Sequence, residues 1–410
     1  MKIINLTQAQ FMNYAKLHSY KNFGQTVEYT RLPEYNKCEK LFLGLVDDKE
    51  VLHAAVSILI NTISPLVKEA IAKDGFLIDY ADFYLFEEFI KRLKEYLKKH
   101  KVTYLITDPV FALRKYNKKR NVIEDNSNIL DNFTRNNFII KGYHSEFEKY
   151  DIVIENYNSI NEIYNKFNRN TRRNIKDSIN MGITLHKGTY NELDIFYEMT
   201  KKKKKNSLKY YQDLMTAFNT ADNKMMIFFA KLNIHNFLVM SKKRYEKELA
   251  KNTKINEVFQ KKVGKVTDKL YNKKIASDKL LNKCHDTLDL ATKLNMQGEK
   301  DIIVGTTAVI KNKDEIYFLI DGFDDKYRSI HSSHVLKWAI IKKFYEMGYN
   351  KFNLGEINDN SFNKENKYHG QLMYKLGFGG NIIEYPPNML LVINKTIYNT
   401  YVRFKNILKK

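Results

Sequence analysis

Residues 238–298 contain no proline and, before Gly298, a single glycine, Gly264. Within them Tyr245, Leu249, Asn252, Asn256, Phe259, Val263, Val266 and Leu270 follow one another at steps of four and three. Leu281, Cys284, Leu288, Ala291 and Asn295 repeat the rhythm. A seven-residue apolar repeat with polar entries predicts two long helices paired as a helical hairpin. At about thirty residues per helix, such an arm reaches about 40 Å. Its turn is placed near Gly264 or near Asn272, and Cys284 reads as a small seam residue rather than a nucleophile.

Strand–helix–strand units stand on both sides of this stretch. On the N-terminal side "KLFLGLVD" and "VLHAAVSILI" read as strands around the turn "DDKE". "FLIDYADFYLFEEFIKRLKEYLKKHKVTYLITDPVF" reads as strand, helix, strand. Phe86, Phe89, Ile90, Leu93, Tyr96 and Leu97 recur there at helical spacing, and Asp82 is the expected N-cap. "YDIVIEN" then starts a second unit as a strand. Helices follow in "SINEIYNKFNRNTRRNIKDSINMG", "NELDIFYEMTKKKKKNS" and "LKYYQDLMTAFNT", with "ITLHKG" and "KMMIFFAKL" as strands. Beyond the interruption, "DIIVGTTAVIKNKDEIYFLIDGFDD" predicts a hairpin through "KNKD". "SIHSSHVLKWAIIKKFYEMG" predicts a helix stopped by Gly348, and "KFNLGEI" a strand.

The chain of 410 residues exceeds what one core usually serves. The fold class is therefore α+β with two similar domains: 1–145, and 146–236 together with 300–384. The arm occupies 237–299. A strand and helix over 385–410 are expected to pack back on the first domain.

Two cysteines, Cys38 and Cys284, make neither a disulfide framework nor a metal cluster. No signal peptide and no membrane-spanning run are read, so a cytoplasmic protein is expected. The formal net charge of +22 favours polyanionic partners, RNA or an anionic membrane surface. The richness in Lys, Asn, Ile and Tyr also fits an AT-biased genome, which weakens charge as an argument.

Several short motifs recur in order. They are "FGQTVEY" (23–29), "KDGFLIDY", "LITDP", "NRNTRRNIKDSINMGITL", "KFNLGEI" and "HGQLMYKLGFGG" (369–380). Their order and spacing, with the paired α+β domains and the inserted hairpin, resemble the Fem family of peptidoglycan bridge-forming aminoacyltransferases. The resemblance covers most of the chain. It departs from the family pattern at Tyr374, where Phe is usual, at Glu356 after Gly355, in "KDG" and in "DGFDD".

The resemblance implies two GNAT-type acyltransferase domains. It implies an aminoacyl-tRNA donor and, as acceptor, the stem peptide of lipid II or of a UDP-linked muropeptide. It also implies a peripheral position at the inner face of the cytoplasmic membrane, a possible Fem-like homo- or hetero-oligomer, and no metal or redox cofactor. The pyrophosphate loop of coenzyme A-dependent relatives is not found in the sequence. Two other readings stand beside this one: a Fem-like protein without catalysis that binds RNA or a membrane surface, and a Fem-like transferase with a non-wall amine acceptor.

The reaction so implied is aminolysis of an activated ester, which a protein assists by positioning and by stabilising the oxyanion. Family analogy gives that role to Lys375, with Tyr374 lining the site; the alternative is a surface lysine after a hairpin. The glycines around Lys375 are expected to let two strands and a tight turn hold it at the ester. Asp108 is the candidate to hold or deprotonate the attacking amine, or else an ordinary turn carboxylate before Pro109. Arg172 and Arg173 are candidate phosphate contacts, or a solvated helix face. Arg31, Lys203 within the run 201–205, Tyr210, Tyr211, Gly377, Phe378 and Gly379 complete the substrate-binding candidates. His331 and His334 read as capping or surface groups.

Overall fold

Asp47 turns the chain between the first two long strands: its Oδ1 accepts from the main-chain nitrogens of Lys49 and Val51, both at 2.9 Å. In this computed structural model, which describes all residues except 20–21, 146–148, 204–205, 263–265 and 408–410, the two strands pair antiparallel. They are β2 (Glu39–Val46) and β3 (Leu52–Ser64).

They belong to a seven-stranded sheet with β1 (Lys2–Asn5), β4 (Val67–Ala72), β5 (Tyr104–Thr107), β8 (Phe138–Gly142) and β16 (Asn388–Val392). Its order is β1-β2-β3-β4-β5-β16-β8. The first four strands form an antiparallel meander, and β5 returns parallel to β4 after a crossover helix, Phe83–Lys99. Asp82 caps that helix, accepting from the Leu85 nitrogen. Its apolar face, Phe86, Phe89, Ile90, Leu93 and Leu97, is buried on the sheet, as the spacing predicts.

The second sheet repeats this plan. It contains β6 (Arg114–Tyr116), β7 (Val122–Asp125), β9 (Tyr150–Ile154), β10 (Ile183–Lys187), β11 (Asn223–Asn233), β12 (Asp301–Asn312), β13 (Glu315–Phe323), β14 (Lys351–Ile357) and β15 (Asn381–Glu384). The order is β10-β11-β12-β13-β14-β9-β15-β6-β7. Again four strands form an antiparallel meander, and β14 returns parallel to β13 through a helix, Ser332–Glu346. Val335, Leu336, Ile340, Ile341 and Phe344 bury that helix against the sheet.

The two sheets exchange strands. β9 follows β8 of the first sheet but inserts between β14 and β15 of the second. Conversely β16 follows β15 of the second sheet but inserts between β5 and β8 of the first. A buried carboxylate adds a further tie. Glu28 is 1% exposed and accepts from Thr220 Oγ1 (2.7 Å) and Asn223 Nδ2 (2.9 Å).

Some elements differ from the sequence reading. The strand before the first crossover helix is Val67–Ala72, not "FLIDY", which touches the sheet only through a bridge from Leu77 to Ala55. "VKEAIA" carries charges at two successive half-buried positions, Lys68 and Glu69, which hides it as a strand. Residues 114–125, assigned above to the first domain, pair at the edge of the second sheet.

Between β11 and β12 run two helices, Ile234–Lys261 and Asp268–Met296. Tyr245 meets His285 and Phe259 meets Tyr271, so the two run antiparallel. The polar entry Asn252 bonds across to Asp278 Oδ1 (2.7 Å) and Ser277 Oγ (3.2 Å). Asn272 lies inside the second helix, so the chain does not turn there. Gly264 and Val263 lie outside the described residues.

Candidate active site

β13 and β14 pair over only three positions, Glu315 with Lys351, Ile316 with Phe352 and Tyr317 with Asn353. Beyond Tyr317 they part. Asn353 causes part of this: its Oδ1 accepts from the Gly355 nitrogen at 2.8 Å, at a bulge that shifts the register of β14 between Asn353 and Glu356. Gly355 lies within the bulge at φ +81°, a conformation that L side chains rarely adopt. A Cβ there would lie 2.8 Å from the Phe318 oxygen. The parted strands open into a cavity of about 920 Å3.

Lys375 enters this opening from below. It sits in the last turn of a helix, His369–Leu376, and not in a turn between two strands as the glycine spacing suggests. A single cluster of glycines after a helix and one within a hairpin look alike in sequence. Lys375 is 7% exposed, and its Nζ donates to the Glu356 main-chain oxygen at 2.7 Å. Burial, followed by the nearby Lys337 charge, pulls its amine down to about 8. Tyr374 lines the same cavity; its hydroxyl donates to the Ser333 oxygen at 2.9 Å.

Gly377, Phe378 and Gly379 have a packing task. The Asn168 nitrogen donates to the Gly377 oxygen at 2.8 Å, and a Cβ on Gly377 would come 2.5 Å from Thr171 Oγ1. Gly379 has φ +97°, with Lys166 backbone 3.0 Å from where a Cβ would stand. Phe378 is fully buried against Phe167 and Tyr374. This close seating of the helix end fixes Lys375; none of the three lines the cavity.

Asp321 also lines the cavity and, with Lys337 behind it, forms a pair the sequence reading missed. Lys337 is 1% exposed, and its Nζ lies 2.9 Å from Asp321 Oδ2 and 3.2 Å from Oδ1. Thr307 Oγ1 donates to Asp321 Oδ1 at 2.7 Å. Burial pushes the Asp321 carboxyl up, but the Lys337 and Lys203 charges outweigh it and hold the group below its ordinary value. The available signal was a lysine inside an apolar helix face, "VLKWAII", which demands a buried acid.

His331 and His334 are half-buried and also line the cavity. His331 has φ +57° at the helix start with no side-chain capping bond. Burial, with His331 next to it, brings the His334 imidazole down to about 4, so it is neutral.

Behind Glu356, the strand β9 supplies Asp151, 6% exposed, which accepts from Asn353 Nδ2 at 2.7 Å. Burial pushes its carboxyl up to about 7. At the mouth Lys202, Lys203, Arg328 and Lys367 are exposed, and Lys203 Nζ stands 4.6 Å over the Phe323 ring. Lys204 and Lys205 of the same run lie outside the described residues.

The remaining candidates lie apart from this cavity. Asp108 is at the matching position of the first sheet, just beyond β4 and β5, where it ion-pairs with Lys73 and accepts from the Asp74 nitrogen at 2.8 Å. Burial raises Asp74 itself to about 6. Tyr211 is a core residue packed edge-on to Phe196, with Tyr210 against it. Arg172 is half-buried and Arg173 exposed on the helix Arg169–Asn180. Arg31 is exposed at the end of the short helix Val27–Thr30. Among the described residues no group of three or more His, Cys, Asp or Glu could hold a metal ion. No helix there is long and apolar enough to cross a membrane.

Two sheets of one plan, each a four-stranded meander with a parallel return and one of them parted beside a buried lysine, define a tandem α+β fold. The chain belongs to the FemAB family, which matches residues 6–406. It is 22% identical to the aminoacyltransferase FemA of Staphylococcus epidermidis over 421 residues, covering 100% of both chains. Against FemA of Staphylococcus aureus (strain N315) the identity is 22% over 430 residues, with 99% of each covered. The crystal structure of FemX superposes with a TM-score of 0.72 at 15% identity, over 98% of this chain and 99% of that one, and so shares the fold.

Proposed function

We propose that this protein transfers an aminoacyl group from aminoacyl-tRNA to an amine on the stem peptide of a peptidoglycan precursor. Family membership and full-length likeness to two FemA aminoacyltransferases support the reaction class. The observation that carries the reading is the Lys375 ammonium, fixed 2.7 Å from the Glu356 oxygen inside the cavity where β13 and β14 part.

In this reading the ester carbonyl of the donor lies against Lys375. The neutral acceptor amine attacks the carbonyl carbon, and the developing oxyanion is stabilised by the Lys375 ammonium. The amide bond forms as the ester bond to the ribose breaks. The amine gives up one proton and the ribose oxygen takes one. Lys202, Lys203, Arg328 and Lys367 at the rim supply charges for the phosphates of the tRNA end. With a net charge of +22, the protein is drawn to anionic headgroups, where a lipid-linked acceptor resides.

The test is incubation with glycyl-, alanyl- and seryl-tRNA and lipid II, read by mass spectrometry. Lipid II is expected to gain the mass of one of these residues, and Lys375→Ala to lose most of the gain. Tight tRNA binding with no mass gain from any donor would instead favour an RNA-binding protein without catalysis. Transfer to other amines alone would favour a non-wall acceptor.

A further inference from the structure

The cavity holds two acidic side chains, Asp321 and Glu356, among several cations. This is unexpected for a pocket that only has to receive an ester and polyanionic substrates. A carboxylate beside Lys375 weakens the cation that faces the oxyanion. Its presence asks for a positively charged part of the ligand.

Asp321 is built for that task. Lys337 and Thr307 hold it from behind, so its position is set before any ligand arrives. The ion pair is oriented: the Lys337 side chain is 1% exposed, whereas that of Asp321 is 20% exposed. The pair therefore turns its negative end to the cavity. Two hydrogen bonds, from Lys337 and Thr307, reach Oδ1, and Oδ2 is met only by the ion-pair contact with Lys337, which leaves acceptor capacity on the open side. Asp321 and Lys375 line the same cavity, and Lys337 Nζ, which holds Asp321, stands 5.9 Å from the ring of Tyr374, the residue before Lys375.

An aminoacyl ester carries its own cation two bonds from the reacting carbonyl. If that carbonyl faces Lys375, its α-ammonium lies within a few ångströms of a lysine, in a site that excludes much of the solvent. Such an arrangement is costly unless an acid pairs the second cation.

We propose that Asp321 is a specificity-determining residue that receives the α-ammonium of the transferred residue and so selects aminoacyl over other acyl esters. This deepens the transferase reading given above and rests on it.

The test compares an aminoacyl-tRNA that the protein uses with its α-hydroxyacyl counterpart, made by replacing the amino group with hydroxyl on the same tRNA. The wild type is expected to prefer the amine by at least about ten-fold in kcat/KM. Asp321→Asn is expected to bring the ratio close to one, whereas Glu356→Gln keeps it. Removing one member of a buried ion pair can unfold a protein. The ratio is therefore also measured in the double variant Asp321→Asn/Lys337→Met, which leaves no unpaired charge, and the same collapse is expected. Equal use of both donors by the wild type overturns the proposal, as does an undiminished ratio in the Asp321 variants or a collapse caused by Glu356→Gln instead. Failure of the wild type to turn over either donor overturns the transferase reading itself.

Discussion

Lys375 Nζ and the main-chain oxygen of Glu356 are joined by a 2.7 Å hydrogen bond across the gap between the His369–Leu376 helix and β14. One ammonium proton is thereby engaged, which aims the others toward the cavity. A flexible lysine becomes a fixed donor with little entropy left to lose when the ester arrives.

The first prediction follows from the state of that amine. Its protonated form is the useful one, and its value is brought down to about 8. As pH rises through that value the charge is lost, so kcat/KM is expected to fall on the alkaline side. Lys375→Ala is expected to lower kcat by about 10²–10³-fold. Lys375→Arg, which stays charged, should abolish the alkaline fall while retaining only part of the rate. A pH–rate profile of the three proteins checks this.

Gly355→Ala is expected to cost roughly 1–3 kcal/mol of stability. The φ of +81° and the Phe318 oxygen 2.8 Å from the added Cβ both oppose it. The same Cβ would stand 3.5 Å from Lys375 Nζ, so activity should fall more than thermal stability does. Paired melting curves and turnover measurements separate the two effects.

Asp151 predicts a stability slope. Its carboxyl is raised to about 7 in the fold, above its ordinary value near 4, so the folded state binds more protons than the unfolded one between those limits. Stability contributed by this site is therefore greatest at low pH and declines as pH rises toward 7, by at most about 1.4 kcal/mol per pH unit. Asp151→Asn should flatten that part of the denaturation profile and raise stability at neutral pH.

Glu28→Ala should destabilise the protein by about 2 kcal/mol, since Thr220 and Asn223 lose a buried charged acceptor. The melting temperature should fall with no change in donor preference, since Glu28 does not line the cavity.

Local order was legible in the chain because it is local chemistry. Asp82 before an apolar stripe announces a capped helix, and the apolar runs "DIIVGTTAVI" and "EIYFLI" on either side of "KNKD" announce a hairpin. β4 was obscured by Lys68 and Glu69, whose charges are carried on half-buried positions. The exchange of β9 and β16 leaves no local trace, since the partners of β16 lie some 250 to 290 residues earlier and pairing register is written in no short motif. At the site, Lys375 and Tyr374 were found through their motif, but their helical setting was not. Asp321 and Asp151 went unread because each is meaningful only through a partner in another element, and the one local signal, Lys337 in an apolar helix face, names no partner. Asp108, equally prominent as a motif residue, is engaged in an ion pair with Lys73 just beyond β4 and β5 of the first sheet.

The exchange of β9 and β16 also sets the order in which the molecule can be completed on the ribosome. Until residue 392 has emerged from the exit tunnel, β5 and β8 have no strand between them, and each waits with an open edge. The N-terminal half, although synthesised first, is therefore finished last, and a chain stalled anywhere before β16 presents a ready template for joining a neighbouring nascent copy.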